Sequence, residues 1–141
     1  MPRPRTVGLI AAASAAALAL SGCSVVEAFS PHVDAQIFDN AKEFKAAKVS
    51  TFGSPTFVPD DATIIRVDYD TQTGAAILTY TSPSMVPQGA CSGEGPTPRP
   101  DIQDSWWPVD GIPEKSATCP GGWFAFNIGQ QVWAALPSKT K

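Results

Sequence analysis

The chain holds a single histidine, His32, in 141 residues. That scarcity removes the base on which Ser-His-Asp and Cys-His catalysis depend. It also removes the nitrogen ligand that many zinc sites use. Cysteine is sparse as well. Cys23, Cys91 and Cys119 show no C-x-x-C spacing, so a thiolate metal site is disfavoured. There is no G-x-S-x-G and no D-x-D-x-D-G calcium loop, and Gly89 to Gly95 lacks the lysine and helix of a phosphate-binding loop. Charged residues make up only 16% of the chain, and acids outnumber bases 13 to 10. Without a basic surplus there is no electrostatic footprint for nucleic acid or anionic lipid headgroups. The acids are scattered, with no like-charged run to gather a cation. No metal or cofactor is expected. No apolar run reaches the roughly 20 residues that a membrane-spanning helix needs.

What is present begins at the N-terminus. Arg3 and Arg5 are followed by a largely apolar run from Val7 to Leu20, then by Ser21 and Gly22. These are the charged, apolar and small-residue zones of a secretory signal. Arg3-Pro4-Arg5 is not a contiguous arginine pair, which favours the general secretory route over the twin-arginine one. The run Leu20-Ser21-Gly22-Cys23 resembles the lipobox of bacterial lipoproteins. The alanine-rich leader and proline-rich body are also similar to actinobacterial surface lipoproteins. The lipobox resemblance covers only the leader and Cys23. It implies a diacylglyceryl group on the Cys23 thiol, cleavage before that residue, and anchorage on the extracytoplasmic side of a membrane. The competing reading is a cleaved signal with an incidental cysteine. On the lipoprotein reading, residues 1–22 are removed, 23–37 form a tether, and 38–141 form one globular domain. Loss of Arg3 and Arg5 lowers Lys+Arg from 10 to 8 against 13 acids, moving the net charge from −3 to about −5.

With Cys23 assigned to the lipid, Cys91 and Cys119 remain. An even remainder in an exported chain points to one disulfide, and the alternative metal pair lacks further ligands. Eight of the 14 prolines lie between Pro83 and Gly121. Proline removes donors and fixes φ, so long regular elements are not expected there. The bridge and Trp106-Trp107 oppose disorder, and the segment reads as an ordered, irregular excursion packed on a sheet.

Hydrophobic spacing predicts a short helix over Phe38 to Lys48, with Phe38, Ala41 and Phe44 on one face and Asp39 or Asn40 as cap. Thr63 to Asp70 reads as a strand in which Ile65, Val67 and Tyr69 alternate with Arg66, Asp68 and Asp70. After a turn at Thr71 to Gly74, Ala75 to Ser82 returns as its partner. Trp123 to Ile128 and Gln131 to Leu136 read as a second hairpin around Gly129-Gln130, with an Ile128-Gly129 turn as the alternative. Either turn puts Phe124, Phe126 and Trp133 on one face and Trp123, Ala125, Val132 and Ala134 on the other. Both faces are apolar, so this hairpin is expected to be central or covered on both sides. The expected fold is α+β, mainly β: about four antiparallel strands from two hairpins, one N-terminal helix, and a disulfide-closed proline-rich loop.

Chemistry is harder to find. Asp60-Asp61, Asp68 with Asp70, and Asp101 with Asp104 are the carboxylate pairs available for hydrolysis of glycans. Asp68 and Asp70 lie opposite Ile65 and Val67 and read as solvated. His32 reads as a solvated tether residue. The candidate binding residues are Trp106 and Trp107; indoles stack on sugars and anchor protein interfaces, though they also fill small cores. In an extended chain the two would point opposite ways, one packing and one facing out. The sequence thus reads as a non-enzymatic, lipid-anchored envelope protein that contacts a partner through these indoles. The alternative is a module binding cell-wall glycan through the same residues, and a third reading is an envelope enzyme using an Asp pair.

Overall fold

A computed structural model describes residues 32–139. The leader, Cys23 and residues 24–31 lie outside the described residues. The architecture is mainly β: seven antiparallel strands in one sheet, with one helix. The strands are β1 (Val33–Asn40), β2 (Thr63–Asp70), β3 (Ala76–Thr81), β4 (Glu94–Pro96), β5 (Lys115–Cys119), β6 (Trp123–Ile128) and β7 (Gln131–Leu136). Their spatial order is β1-β2-β3-β7-β6-β5-β4. Two meanders, β1–β3 and β4–β7, are therefore joined at mid-sheet by β3 and β7, with Thr79 opposite Trp133.

Both expected hairpins form. Gly74 takes φ 74°, and the Asp70 carboxylate accepts from the N–H groups of Gln72 and Thr73 at 2.8 and 2.9 Å. This local bonding fixes the turn that the sequence signalled. Ile128 pairs with Gln131 across Gly129-Gln130, and Gly129 takes φ 63°. Facial sorting follows the alternation. Val67, Tyr69, Leu78, Tyr80, Trp123, Val132 and Ala134 face one core. Ile77, Phe126, Trp133 and Ala135 face a second, on the other side of the sheet.

The first core is closed by the helix α1 (Ala41–Ala47) and the segment after it. Phe44 stacks on Phe52 at 6.2 Å, and Phe52 and Phe57 meet the Trp123 indole edge-on at 6.1 and 5.9 Å. α1 starts later than the periodicity implied. Asn40 caps it, its side-chain oxygen accepting from Glu43 N at 3.0 Å, while Glu43 bonds back to Asp39 N and Asn40 Nδ2. This reciprocal arrangement satisfies orphan donors of the first turn. Phe38 belongs instead to β1, yet it still packs edge-on to Phe44 at 5.4 Å.

β1 corrects the reading of residues 33–37 as tether. Val33 pairs with Asp70 and Ile37 with Arg66, so the sheet begins at Val33. Its polar composition suits an edge strand, where one side of the backbone remains unpaired. His32 is likewise not a free linker residue: its carbonyl accepts from Thr71 N and Oγ1 at 2.8 and 3.1 Å. The sheet has seven strands rather than about four because β1, β4 and β5 carry little hydrophobic alternation. Three non-glycine residues take positive φ, Lys48, Ile64 and Met85, and of these only Ile64 is β-branched. Ile64, 60% exposed, takes φ 51° where the β2–β3 register shifts. A β-branched residue there is a genuine outlier, and such strain costs of order 1–3 kcal/mol.

Candidate binding cleft

The second face is covered by the proline-rich excursion from Thr97 to Glu114. Its root is pinned twice. β4 pairs with β5, and Cys91 is bridged to Cys119, so the bridge encloses the whole of this segment. The tail adds a third tie, Ser138 N donating to the Asp101 carboxylate at 2.8 Å.

Trp106 and Trp107 sit in a tight turn, in which Trp107 N donates to the Asp104 carbonyl at 3.1 Å. The Asp104 carboxylate accepts from Ser105 N and from Ser105 Oγ. Because the backbone turns here, the extended-chain rule that adjacent side chains point opposite ways does not apply. Both indoles go down onto the sheet. Trp106, half-buried, stacks on Trp133 at 6.1 Å and 18°. Trp107, only 9% exposed, meets Phe126 and Trp133 edge-on, each at 5.9 Å. The expectation that one of the pair faces outward is therefore corrected.

Beside Trp106 the buried Asp68 meets the exposed Asp104, a carboxyl pair that the sequence did not show. Asp68, read as solvated, is only 4% exposed. Its side of β2 is covered by the excursion, and its carboxyl faces Asp104 and the Trp106 indole. Burial, and then the neighbouring Asp104 carboxyl, push the Asp68 pKa up to about 7. Burial also acts to raise Asp104, but hydrogen bonds from Asp68, from Ser105 and from the Trp106 backbone hold it below the usual carboxylate range. One proton shared between the two satisfies both, and they titrate as a pair. Asp70 does not join them. The Thr73 backbone N–H holds its carboxylate low, in the hairpin turn. Asp61 is held low by hydrogen bonds from Ser82 and Ser84, and it ties the loop after β3.

Above the pair opens a cleft of about 420 Å³, within the size range of small-ligand sites. Trp107, Val109, Ile112 and four prolines make its walls apolar. Thr97, Arg99, Gln103 and Asp104 add polar groups. Two polar atoms of these residues, Trp107 Nε1 and Thr97 Oγ1, are buried out of reach of solvent and have no hydrogen-bond partner among the described residues. Trp106 does not line it. Of the sequence candidates, then, Trp107 reaches the cleft and Trp106 acts beneath the excursion, holding Asp68 and Trp133. Arg99 and Thr97 carry no sequence signal, because neither belongs to a motif. Among the described residues, no three His, Cys, Asp or Glu side chains gather as metal ligands do, and no helix is long and apolar enough to cross a membrane. Compared with protein-family models, curated proteins and solved structures, the chain matches none.

Proposed function

We propose that the chain is a lipid-anchored cell-envelope protein acting without catalysis, as an interaction or accessory module on the extracytoplasmic side. Cys23 carries the lipid, residues 24–31 form the tether, and the sheet domain holds its cleft away from the membrane. The anchor rests on Leu20-Ser21-Gly22-Cys23 behind an apolar leader. Each acyl methylene buried in the membrane contributes about 0.8 kcal/mol, and two chains hold where one is marginal.

The observation that carries the binding role is the cleft at Trp107, apolar in its walls and edged by the exposed Arg99. It is built on an excursion pinned by a disulfide and a sheet edge, so little ordering cost remains when a ligand enters. The glycan-stacking alternative draws less support. Trp107, Trp123 and Trp133 are buried, and the half-buried Trp106 is stacked on Trp133. A sugar platform needs an indole face open in the free protein.

The experiment is fractionation of cells expressing the wild type and Cys23→Ala. The wild type should partition with membranes, and the variant should be released or accumulate as precursor. Equal membrane retention at unchanged mass would defeat the anchor.

A further inference from the structure

β1 ends the sheet, and no described strand lies along its outer side. The hydrogen-bond register shows which of its groups are left over. Thr71 N donates to the His32 carbonyl, and pairing then runs unshifted from Val33–Asp70 to Phe38–Ile65. In an antiparallel ladder every second residue bonds inward. The N–H and C=O groups of Asp34, Gln36 and Phe38 therefore meet β2, while those of Val33, Ala35, Ile37 and Asp39 point out. Glu43 takes the Asp39 N–H. Val33, Ala35 and Ile37 remain, each with one donor and one acceptor in a straight row. The usual devices that blunt an edge are missing: residues 33–38 hold no proline, no lysine and no bulge. The opposite edge, β4, is only three residues long and ends in Pro96.

This row is complementary to itself. With a two-fold axis at Ala35, Val33 faces Ile37 of a second copy, Ala35 faces Ala35, and Ile37 faces Val33. Every outward donor and acceptor of the three is then met, as an isologous contact requires. Side chains agree with that register. Asp34 falls opposite Gln36 rather than another acid. The Gln36 amide gives one hydrogen to Tyr69 Oη at 2.9 Å and keeps a second for Asp34. Ile37, 64% exposed, falls opposite Val33, which already packs on the second core, so that core continues across the seam. Moving the axis to Gln36 would instead oppose Val33 to Asp39, whose N–H is held by Glu43.

We propose that β1 pairs antiparallel with β1 of a second copy about an axis at Ala35, joining two sheets into one. This surface is separate from the cleft, and the pairing stands or falls independently of any ligand there.

The test uses the full-length protein at micromolar concentration in density-matched detergent. Wild type should sediment as two chains. Ala35→Cys sets two thiols on residues about 5.5 Å apart at Cα, within disulfide reach, and mild oxidation should give a covalent dimer. Ile37→Cys places its two thiols four residues apart along the seam, about 14 Å, and should not cross-link. Ala35→Pro deletes two bonds across the seam and none to β2, a change that edge strands tolerate. It should weaken the dimer roughly thirtyfold, or about 2 kcal/mol, with an unchanged circular dichroism spectrum. Ile37→Lys, at an exposed position, should weaken it too and decides the matter if the proline variant fails to fold. A wild type that sediments as one chain would overturn the pairing. A dimer that Ile37→Lys leaves intact would also overturn it, and faster cross-linking through Ile37→Cys would overturn the register.

Discussion

Replacing Asp68 by Asn should change how the stability of this domain depends on pH. Burial and the Asp104 carboxyl raise the folded-state pKa of Asp68 from 3.8 to about 7. A raised acid favours the folded state while it is protonated. Its contribution is intact below about pH 4 and is lost as pH rises through about 7. At 1.36 kcal/mol per unit, the loss completed by about pH 8 approaches 4 kcal/mol. For a domain of this size that corresponds to a fall in Tm of up to about 15 °C. Asp104 does not offset it in this window, because its depressed pKa acts only at more acidic pH. In Asp68→Asn the amide N–H donates to Asp104 where the shared proton did, and position 68 no longer ionises. The assay is thermal unfolding by circular dichroism from pH 5 to 8.5 at constant ionic strength. Wild-type Tm should fall across that range while the variant stays level, so the variant becomes the more stable protein above pH 7. A level wild-type curve, or a variant that falls in parallel, would refute the paired-carboxyl account.

Two further perturbations probe the fold. Ile64→Gly should leave stability unchanged or raise it by about 1 kcal/mol by relieving the positive φ, whereas Ile65→Ala, deep in the first core, should cost about 2–5 kcal/mol in a urea melt. Reducing the Cys91–Cys119 bridge, which spans 28 positions, should cost roughly 3–4 kcal/mol by chain entropy and alter the emission of Trp106 and Trp107 before that of Trp123.

The parts of this fold legible in the sequence are those where one physical signal dominates. Thr63–Asp70 and Trp123–Leu136 alternate cleanly, and their turns carry glycine where positive φ is required. Because a one-residue slip would invert every side chain, that pattern also fixed which residues share a face. β4, only Glu94-Gly95-Pro96, and β5, with Lys115, Ser116 and Thr118, have no such pattern. They are strands because a neighbour and the disulfide hold them in place. Phe38 misled for a related reason. Its spacing to Ala41 and Phe44 is helical, but it reaches the same core from the end of a strand. Asp68 was read as solvated because its neighbours alternate as in a one-sided sheet. What buries it is an irregular excursion about 30 residues later, which no local period announces. The same excursion decides the candidate site. Two adjacent tryptophans were visible as binding candidates, but the turn that sends both to the sheet, and the cleft beside Trp107, emerge only from tertiary packing.

The central claim is that this domain is presented on a membrane by lipid at Cys23. Its most direct test is the intact mass of the protein extracted from its native membrane, measured before and after reduction. The account predicts residues 23–141 plus acyl groups, with two hydrogens gained on reduction as the one disulfide opens. A mass without lipid, or one that retains residues 1–22, would contradict it.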